Sequence, residues 1–243
     1  MRIAIISSPR CGNTFLRLCL ADILSLNTGA FHEPKSFPSV FPEGFIFQLH
    51  WRNDDKLYKF LLKKKFKIIT LIRNPLDIFI SILRFTRHEK QVENWLNGEL
   101  DIQQSFFKKW QPNDPEFINW CTSEYSKKLL SISLEWSKLD NIHLIRYEDL
   151  IFKPFEELKK INNFLDLKIF DQEKAEIILK KYDINYFKNL PNLHGWKGKS
   201  GNWKSFFKKD NAKKIYEYHH DFFKIFDYQE KFDYINNNLE ILK

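Results

Sequence analysis

An α/β fold, with a parallel β-sheet flanked by helices on both faces and a helical C-terminal half, follows from three features of this 243-residue sequence. Short β-rich runs alternate with helix-period segments as far as residue 147. The first run passes through a polar turn directly into a helix. After Glu148 the pattern is helical throughout. Such alternation favours strands joined by helical crossovers, which place helices over both faces of the sheet.

The elements follow in order. Residues 2 to 7, with Ile3, Ala4, Ile5 and Ile6, read as a buried strand, and 13 to 26 as the helix after it. Further strands are expected at 45 to 50, 67 to 72 and 142 to 147, and further helices at 54 to 64, 75 to 86 and 116 to 138. Helices at 153 to 165, 172 to 181 and 210 to 226 complete the chain. Neither an internal repeat nor a domain-splitting linker is evident, so residues 1 to 243 are expected to form a single domain. Two segments interrupt the pattern. Residues 87 to 115, with Trp95, Trp110, Pro112 and Pro115, read as an irregular lid or insertion. Residues 189 to 205 read as a cationic loop holding Gly195, Gly198 and Gly201, three of the seven glycines.

Composition narrows the class. A hydrophobic fraction of 43% with 29% charged residues fits a soluble globular protein. No run approaches a membrane span, and Met1-Arg2 leads straight into a strand, so a cytoplasmic location is expected. Cys11, Cys19 and Cys121 form no metal-ligand spacing, which fits a reducing compartment and no bound metal. The net charge of +8 fits a polyanionic ligand, and equally a lysine-rich bias.

Three stretches carry chemistry. Ser7 through Thr14 links a strand to a helix whose first-turn N–H groups and positive dipole end seat an anion. Arg10 adds charge there, Asn13 and Thr14 add side-chain donors, and Cys11 is a filler whose pKa the helix end could lower. This is not a Walker loop, because only Gly12 fits that scheme. Arg73 then stands at the exit of the third expected strand and Ser81 two turns into the following helix. Both are placed to converge on one anionic group, unless Arg73 pairs with Asp77 and Ser81 faces the helix surface. Lastly, the glycines and lysines of the 189 to 205 loop suit a backbone that closes over an anion, or a plain flexible connection.

Together these stretches resemble the sulfotransferases that use 3′-phosphoadenosine-5′-phosphosulfate (PAPS). Ser8-Pro9-Arg10-Cys11-Gly12-Asn13-Thr14-Phe15 resembles their 5′-phosphosulfate loop. Arg73-Asn74-Pro75-Leu76-Asp77 through Ser81 is similar to their 3′-phosphate motif, with the arginine-to-serine interval kept. Gly195 through Lys204 looks like their late loop, and Arg146-Tyr147-Glu148-Asp149-Leu150 like a strand end they share. The resemblance implies a P-loop-type α/β sheet, PAPS as donor and PAP (its desulfated form) as product, with no metal. It implies that Pro9, Arg10, Cys11, Gly12, Asn13 and Thr14 grip the 5′-phosphosulfate, and that Arg73 and Ser81 hold the 3′-phosphate. Phe15 and Tyr147 are implied at the adenine, while Lys197 and Gly198 close over the 3′-phosphate beside Trp196. Trp196 stands where an arginine is usual, Arg10 where a lysine is common, and Cys11 where a small hydroxyl residue is.

Sulfuryl transfer needs in-line placement of the acceptor, fixed cations at the leaving oxygen, and a base for the acceptor proton. His50, 23 residues before Arg73, is the preferred base because a neutral imidazole accepts a proton near pH 7. Glu33, 23 residues after Arg10, is its rival, and His32 trails both. The acceptor is expected to be a hydroxyl or amine of a carbohydrate, glycolipid or small molecule, seated by residues 31 to 44 and 87 to 115, with a sugar preferred. Two other classes are carried beside this one. One is a P-loop nucleotide kinase or other phosphotransferase, which requires magnesium. The other is a non-catalytic basic module for nucleic acid or acidic glycans, whose binding falls steeply with salt.

Overall fold

The computed structural model describes residues 1–88, 109–190, 195–232 and 239–242. Most of the expected insertion, with Trp95, therefore lies outside the described residues, as do 191–194 of the late loop. Five strands form one parallel sheet in the order β2-β3-β1-β4-β5. They are β1 (Arg2–Ile6), β2 (Asn27–Phe31), β3 (Phe45–Leu49), β4 (Phe66–Ile72) and β5 (Ile142–Arg146).

Ile3, Ala4, Ile5 and Ile6 of the central strand are all 0% exposed. Successive side chains point to opposite faces, so both faces of the sheet are covered there. α1 (Asn13–Ile23) packs on β3, β2 and β1, while α5 (Glu124–Trp136) packs on β4 and β1. α2 (Asp55–Lys63) starts at Asp54, whose carboxylate accepts the Leu57 N–H at 2.8 Å. α3 (Pro75–Phe85) starts on proline after Asn74, whose side chain accepts the Leu76 N–H at 2.9 Å.

Several expectations needed correction. β2 was not foreseen, because Asn27 and Gly29 disfavour strand and the element is a half-exposed edge. The single helix expected over 116 to 138 is two, α4 (Pro115–Cys121) and α5, interrupted at Thr122 and restarted by the N-cap Ser123. The helix expected over 210 to 226 likewise divides into α10 (Lys209–Tyr218) and α11 (His220–Ile225) at His219, whose buried ring meets the Cys121 carbonyl at 2.7 Å. β5 stops at Arg146, and Tyr147 opens a short helix, α6 (Tyr147–Phe152). α7 (Pro154–Phe164), α8 (Gln172–Lys181) and α9 (Ile184–Lys188) follow.

Register positions the candidate residues. The β1–β4 pairing, ending at Ile5–Ile69, leads the turn after β1 and Arg73 to the same edge of the sheet. The β4–β5 pairing, beyond Ile72–Arg146, sets Tyr147 beside Arg73. Across the other edge of β1 the pairing after Ile6–Leu49 sets Ser7 beside His50. All therefore gather at the C-terminal edge, where β3 and β4 flank β1 and the strand order reverses, the usual ligand crevice of an open parallel sheet.

The turn after β1 is fastened to α5. The Ser8 N–H donates to Ser133 Oγ at 2.8 Å, and that hydroxyl donates to the Leu71 carbonyl at 2.6 Å. Ser8 Oγ donates to the Leu129 carbonyl at 2.8 Å. Ser133→Ala leaves a buried N–H and a buried carbonyl without these bonds, and is expected to lower unfolding free energy by about 1 to 3 kcal/mol. Urea denaturation checks this, and an unchanged midpoint removes Ser133 as the fastener.

Candidate functional site

Residues of all four motifs line one cavity of about 600 Å³. Pro9, Arg10, Gly12, Asn13, Thr14 and Phe15 come from the first turn, Arg73 and Ser81 from β4 and α3, and Tyr147 from α6. Trp196, Lys197 and Gly198 come from the late loop, and His50 with His32 from the far wall. Phe31 and His32 represent the stretch expected to seat an acceptor.

The first turn is made by its backbone. Arg10 (φ 64°) and Gly12 (φ 93°) are both left-handed, which turns the chain back so that α1 begins at Asn13 with its amino end on the cavity. A Cβ on Gly12 would lie 2.8 Å from the Tyr147 ring, so only glycine allows that ring and the turn to touch. Asn13 does not offer its carboxamide as foreseen. Its nitrogen donates to the Ser8 carbonyl at 3.0 Å, and its oxygen accepts from Ser7 Oγ, so the side chain locks the turn. Cys11 is fully buried in the core beneath the turn, and burial pushes its thiol up, the reverse of the lowering expected from the helix end. Its side chain does not line the cavity.

Arg73 joins these pieces. The guanidinium donates from Nη1 to the Arg10 carbonyl at 2.9 Å and from Nη2 to the Lys199 carbonyl at 3.4 Å, and lies 4.2 Å from the Tyr147 ring centre. Burial acts to lower its pKa, but Tyr147, Asp77 and Glu148 outweigh that and raise it. Its Nε is buried without a partner. Asp77 does not hold Arg73 in a close ion pair. Its carboxylate accepts the Gly201 N–H at 2.7 Å and the Trp203 N–H at 3.0 Å, tying the late loop to α3. Burial is the main cause of its raised pKa.

Arg10 reaches across the cavity. Nε donates to Ser81 Oγ at 3.0 Å, and the guanidinium sits 4.2 Å from the Phe85 ring centre. Ser81 is thus buried and engaged, not displayed on the helix surface. Burial, then the charges of Arg73 and Arg84, push the Arg10 pKa down to about 9. Arg84 itself lies 5.6 Å from the Trp196 ring centre. Lys197 pairs with Glu240 at 2.7 Å. Across the first turn, Phe15 meets Phe187 edge to face at 6.1 Å.

His50 is half-buried in the wall. Its Nδ1 lies 2.8 Å from the Ser7 carbonyl, an acceptor only, so the neutral ring carries its proton on Nδ1 and its lone pair on Nε2. Burial is the main reason its pKa falls to about 4, with His32 and Arg10 adding to the effect. Glu33 is not brought to the cavity: its carboxylate pairs with Lys35 at 2.9 Å. Arg17, a further cavity cation, was not singled out by the sequence, and Asp77 only as a possible partner of Arg73. The arginine-to-serine motif contained Asp77, but its use as a loop anchor needs the fold.

Family comparison fits this geometry. Residues 45–232 match the Sulfotransferase domain family, and the chain belongs to it. Sulfotransferase 6B1 of Danio rerio is 24% identical over 242 residues, covering 90% of this chain and 77% of the relative. The Mus musculus sulfotransferase 6B1 is 21% identical, covering 88% and 74%. Among solved structures, mouse sulfotransferase SULT7A1 complexed with PAP is similar at a TM-score of 0.63 and 21% identity, covering 92% of this chain and 84% of that one. Retinol dehydratase in complex with androsterone and inactive cofactor PAP gives 0.60 at 15% identity, covering 94% and 82%. The sheet with flanking helices is the arrangement expected. Among the described residues no helix is long and apolar enough to cross a membrane.

Asp77→Ala is expected to release the late loop. Amide exchange at Gly201 and Trp203 should quicken by an order of magnitude or more while the β1 amides stay protected. Equal protection at Gly201 in the variant removes Asp77 as the anchor.

Proposed function

We propose that this chain is a cytoplasmic, PAPS-dependent sulfotransferase acting on a hydroxyl or amine acceptor. The observation that carries the proposal is the convergence of Arg10, Arg73 and the amino end of α1 on one cavity, where burial and then the charges of Arg73 and Arg84 depress Arg10. A polyanion relieves that repulsion, and the buried, unpartnered Nε of Arg73 adds an unused donor. The first-turn N–H groups of α1 supply further donors, and Gly12 keeps the turn open to them.

In this reading Arg10, Gly12, Asn13 and Thr14 hold the 5′ end through backbone and guanidinium, while Arg73, Ser81, Lys197 and Gly198 hold the 3′-phosphate. Cys11 contributes its backbone alone. Phe15 and Tyr147, with Trp196, take the adenine side. When bound, PAPS supplies the sulfuryl group that is transferred to the acceptor oxygen, leaving PAP. His50 takes the acceptor proton on Nε2, and the Ser7 carbonyl, accepting from Nδ1–H, stabilises the imidazolium that results. Arg10 is a fork where a lysine would be a point charge, and it faces the negative charge that grows on the departing oxygen. Glu33, paired with Lys35 and away from the cavity lining, is not given the base role. The three cysteines are all buried and unpaired, which fits a reducing compartment.

PAP at one hundred times its Kd should stabilise the fold by about 2.7 kcal/mol, read as a raised Tm. Arg73→Ala should abolish that rise. A magnesium nucleotide producing the larger rise would turn the assignment toward a kinase, and a salt-sensitive response to heparin alone toward a binding module.

His50 gives a pH test. Its pKa of about 4 leaves the ring neutral at pH 7. Nucleotide phosphates neutralise Arg10 beside it and so raise that pKa, bringing the base closer to working pH. NMR titration should find His50 near 4 in the free protein and higher with PAP. Between the folded value and the unfolded 6.5 the unfolded chain binds more protons, so this residue weakens the free fold as pH falls through that window. A ring titrating near its ordinary value and indifferent to PAP loses the role, as does full turnover by His50→Ala.

A further inference from the structure

The cavity holds a second cationic pole. Arg17 lies one turn beyond Asn13 on α1 and lines the cavity together with Ala30, Phe31, His32, Gln48 and His50. Nε donates to Gln48 Oε1 at 3.0 Å, and Nη1 donates to Thr28 Oγ1. Both partners are neutral. Among the described residues no carboxylate lies within 4.0 Å of the guanidinium, and Nη2 has no protein partner. Burial lowers the Arg17 pKa, partly offset by Tyr182 and Tyr186. A guanidinium fixed in a cavity wall by two uncharged acceptors keeps its full charge and one face of its fork for a ligand.

Its position separates it from the other arginines. Thr28 and Gln48 belong to β2 and β3, on the opposite side of β1 from β4, the strand that leads to Arg73. His50, just after β3, lines the same cavity and holds the Ser7 carbonyl at the end of β1. Gln48 and His50 are two residues apart along one strand direction, so their side chains share a face about 7 Å apart. Ala30 and Phe31 make the wall here apolar.

Resting on the reading of this site as a PAPS-dependent sulfotransferase, we infer that the acceptor is a hydroxylated carboxylic acid. Its carboxylate docks on Arg17 and its hydroxyl faces His50, about one strand repeat (about 7 Å) away. The charges of the nucleotide are met by Arg10 and Arg73, which leaves Arg17 as the counter-charge for the acceptor. A neutral carbohydrate brings hydroxyl acceptors but no counter-charge for it.

The test compares 4-hydroxyphenylacetate with its uncharged amide, 4-hydroxyphenylacetamide, by calorimetry on PAP-loaded protein. Wild type is expected to bind the acid about tenfold or more tightly than the amide, the range of one charge-assisted hydrogen bond. Arg17→Gln should bring the acid down to the amide, Arg17→Lys should recover part of the difference, and neither should change PAP affinity. Equal binding of acid and amide by wild type, or of neither, overturns the inference. So does an Arg17→Gln variant that loses PAP affinity, which would make Arg17 part of the nucleotide grip. Failure of wild type to bind PAP overturns the donor assignment instead, and the acid-over-amide preference is then read on the protein alone.

Discussion

One buried guanidinium holds the edge of the sheet together. Arg73 reaches the carbonyl of Arg10 after β1 and that of Lys199 in the late loop, and its plane covers Tyr147 after β5. Three connections distant in sequence therefore meet on one side chain from the end of β4. Neutral carbonyls satisfy hydrogen bonds worth about 1 kcal/mol each, whereas a buried charge costs several kcal/mol unless opposite charge is near. Asp77 and Glu148 provide that charge. Neither is idle, since Asp77 accepts two late-loop N–H groups and Glu148 accepts the Asn74 N–H at 3.1 Å and the Tyr228 hydroxyl at 2.7 Å. Moving any one of these loops leaves a buried ion or N–H unsatisfied, so they are fixed as a set.

The same accounting separates the arginines by role. Arg73 has its counter-charges within the protein and its pKa is raised. Arg10 meets Ser81 and the Phe85 ring, and burial, then the charges of Arg73 and Arg84, bring its pKa down to about 9. Arg17 has an amide and a hydroxyl. All three line the one cavity, but Arg73 is held by the protein's own carboxylates and keeps its buried Nε for a ligand, whereas Arg17 is held by neutral acceptors, an arrangement suited to charged ligands.

Much of this was legible in the sequence where the information is local. Alternating strand and helix periods gave the sheet, the apolar run Ile3 to Ile6 gave its centre, and Gly12, Pro75 and the arginine-to-serine interval placed the turns that line the cavity. What escaped reading depends on partners far along the chain. Asn27, Thr28 and Gly29 look like a loop and become a strand because β3 offers an edge. Helices break at Thr122 and His219 although the apolar period continues, since the pattern reports burial and not chain direction. Asn13 resembled a ligand donor and is consumed by Ser7 and Ser8, and Cys11 sits in an anion-binding turn yet faces the core. Glu33 stood at an interval that matched the expected base, but interval alone does not decide which way a side chain after an edge strand turns.

Arg10 ties local geometry to the proposed chemistry. A non-glycine residue in the left-handed region carries a penalty of about 1 to 2 kcal/mol, so its φ of 64° must be held by its surroundings. The hold comes at both ends of the residue: Arg73 takes its carbonyl and Ser81 takes its Nε. The residue proposed for the leaving oxygen is therefore kept in its strained shape by the two proposed for the 3′-phosphate. A 3′-phosphate that engages Arg73 and Ser81 acts on the geometry of Arg10 from the far end of the nucleotide, and the two ends of the donor site are coupled through a single backbone conformation. A lysine here would lack the Nε–H that Ser81 accepts, and its ammonium would have to reach both the serine and the ligand from a single nitrogen. The planar fork does both, which gives a physical reason for arginine at this position in a chain that otherwise favours lysine.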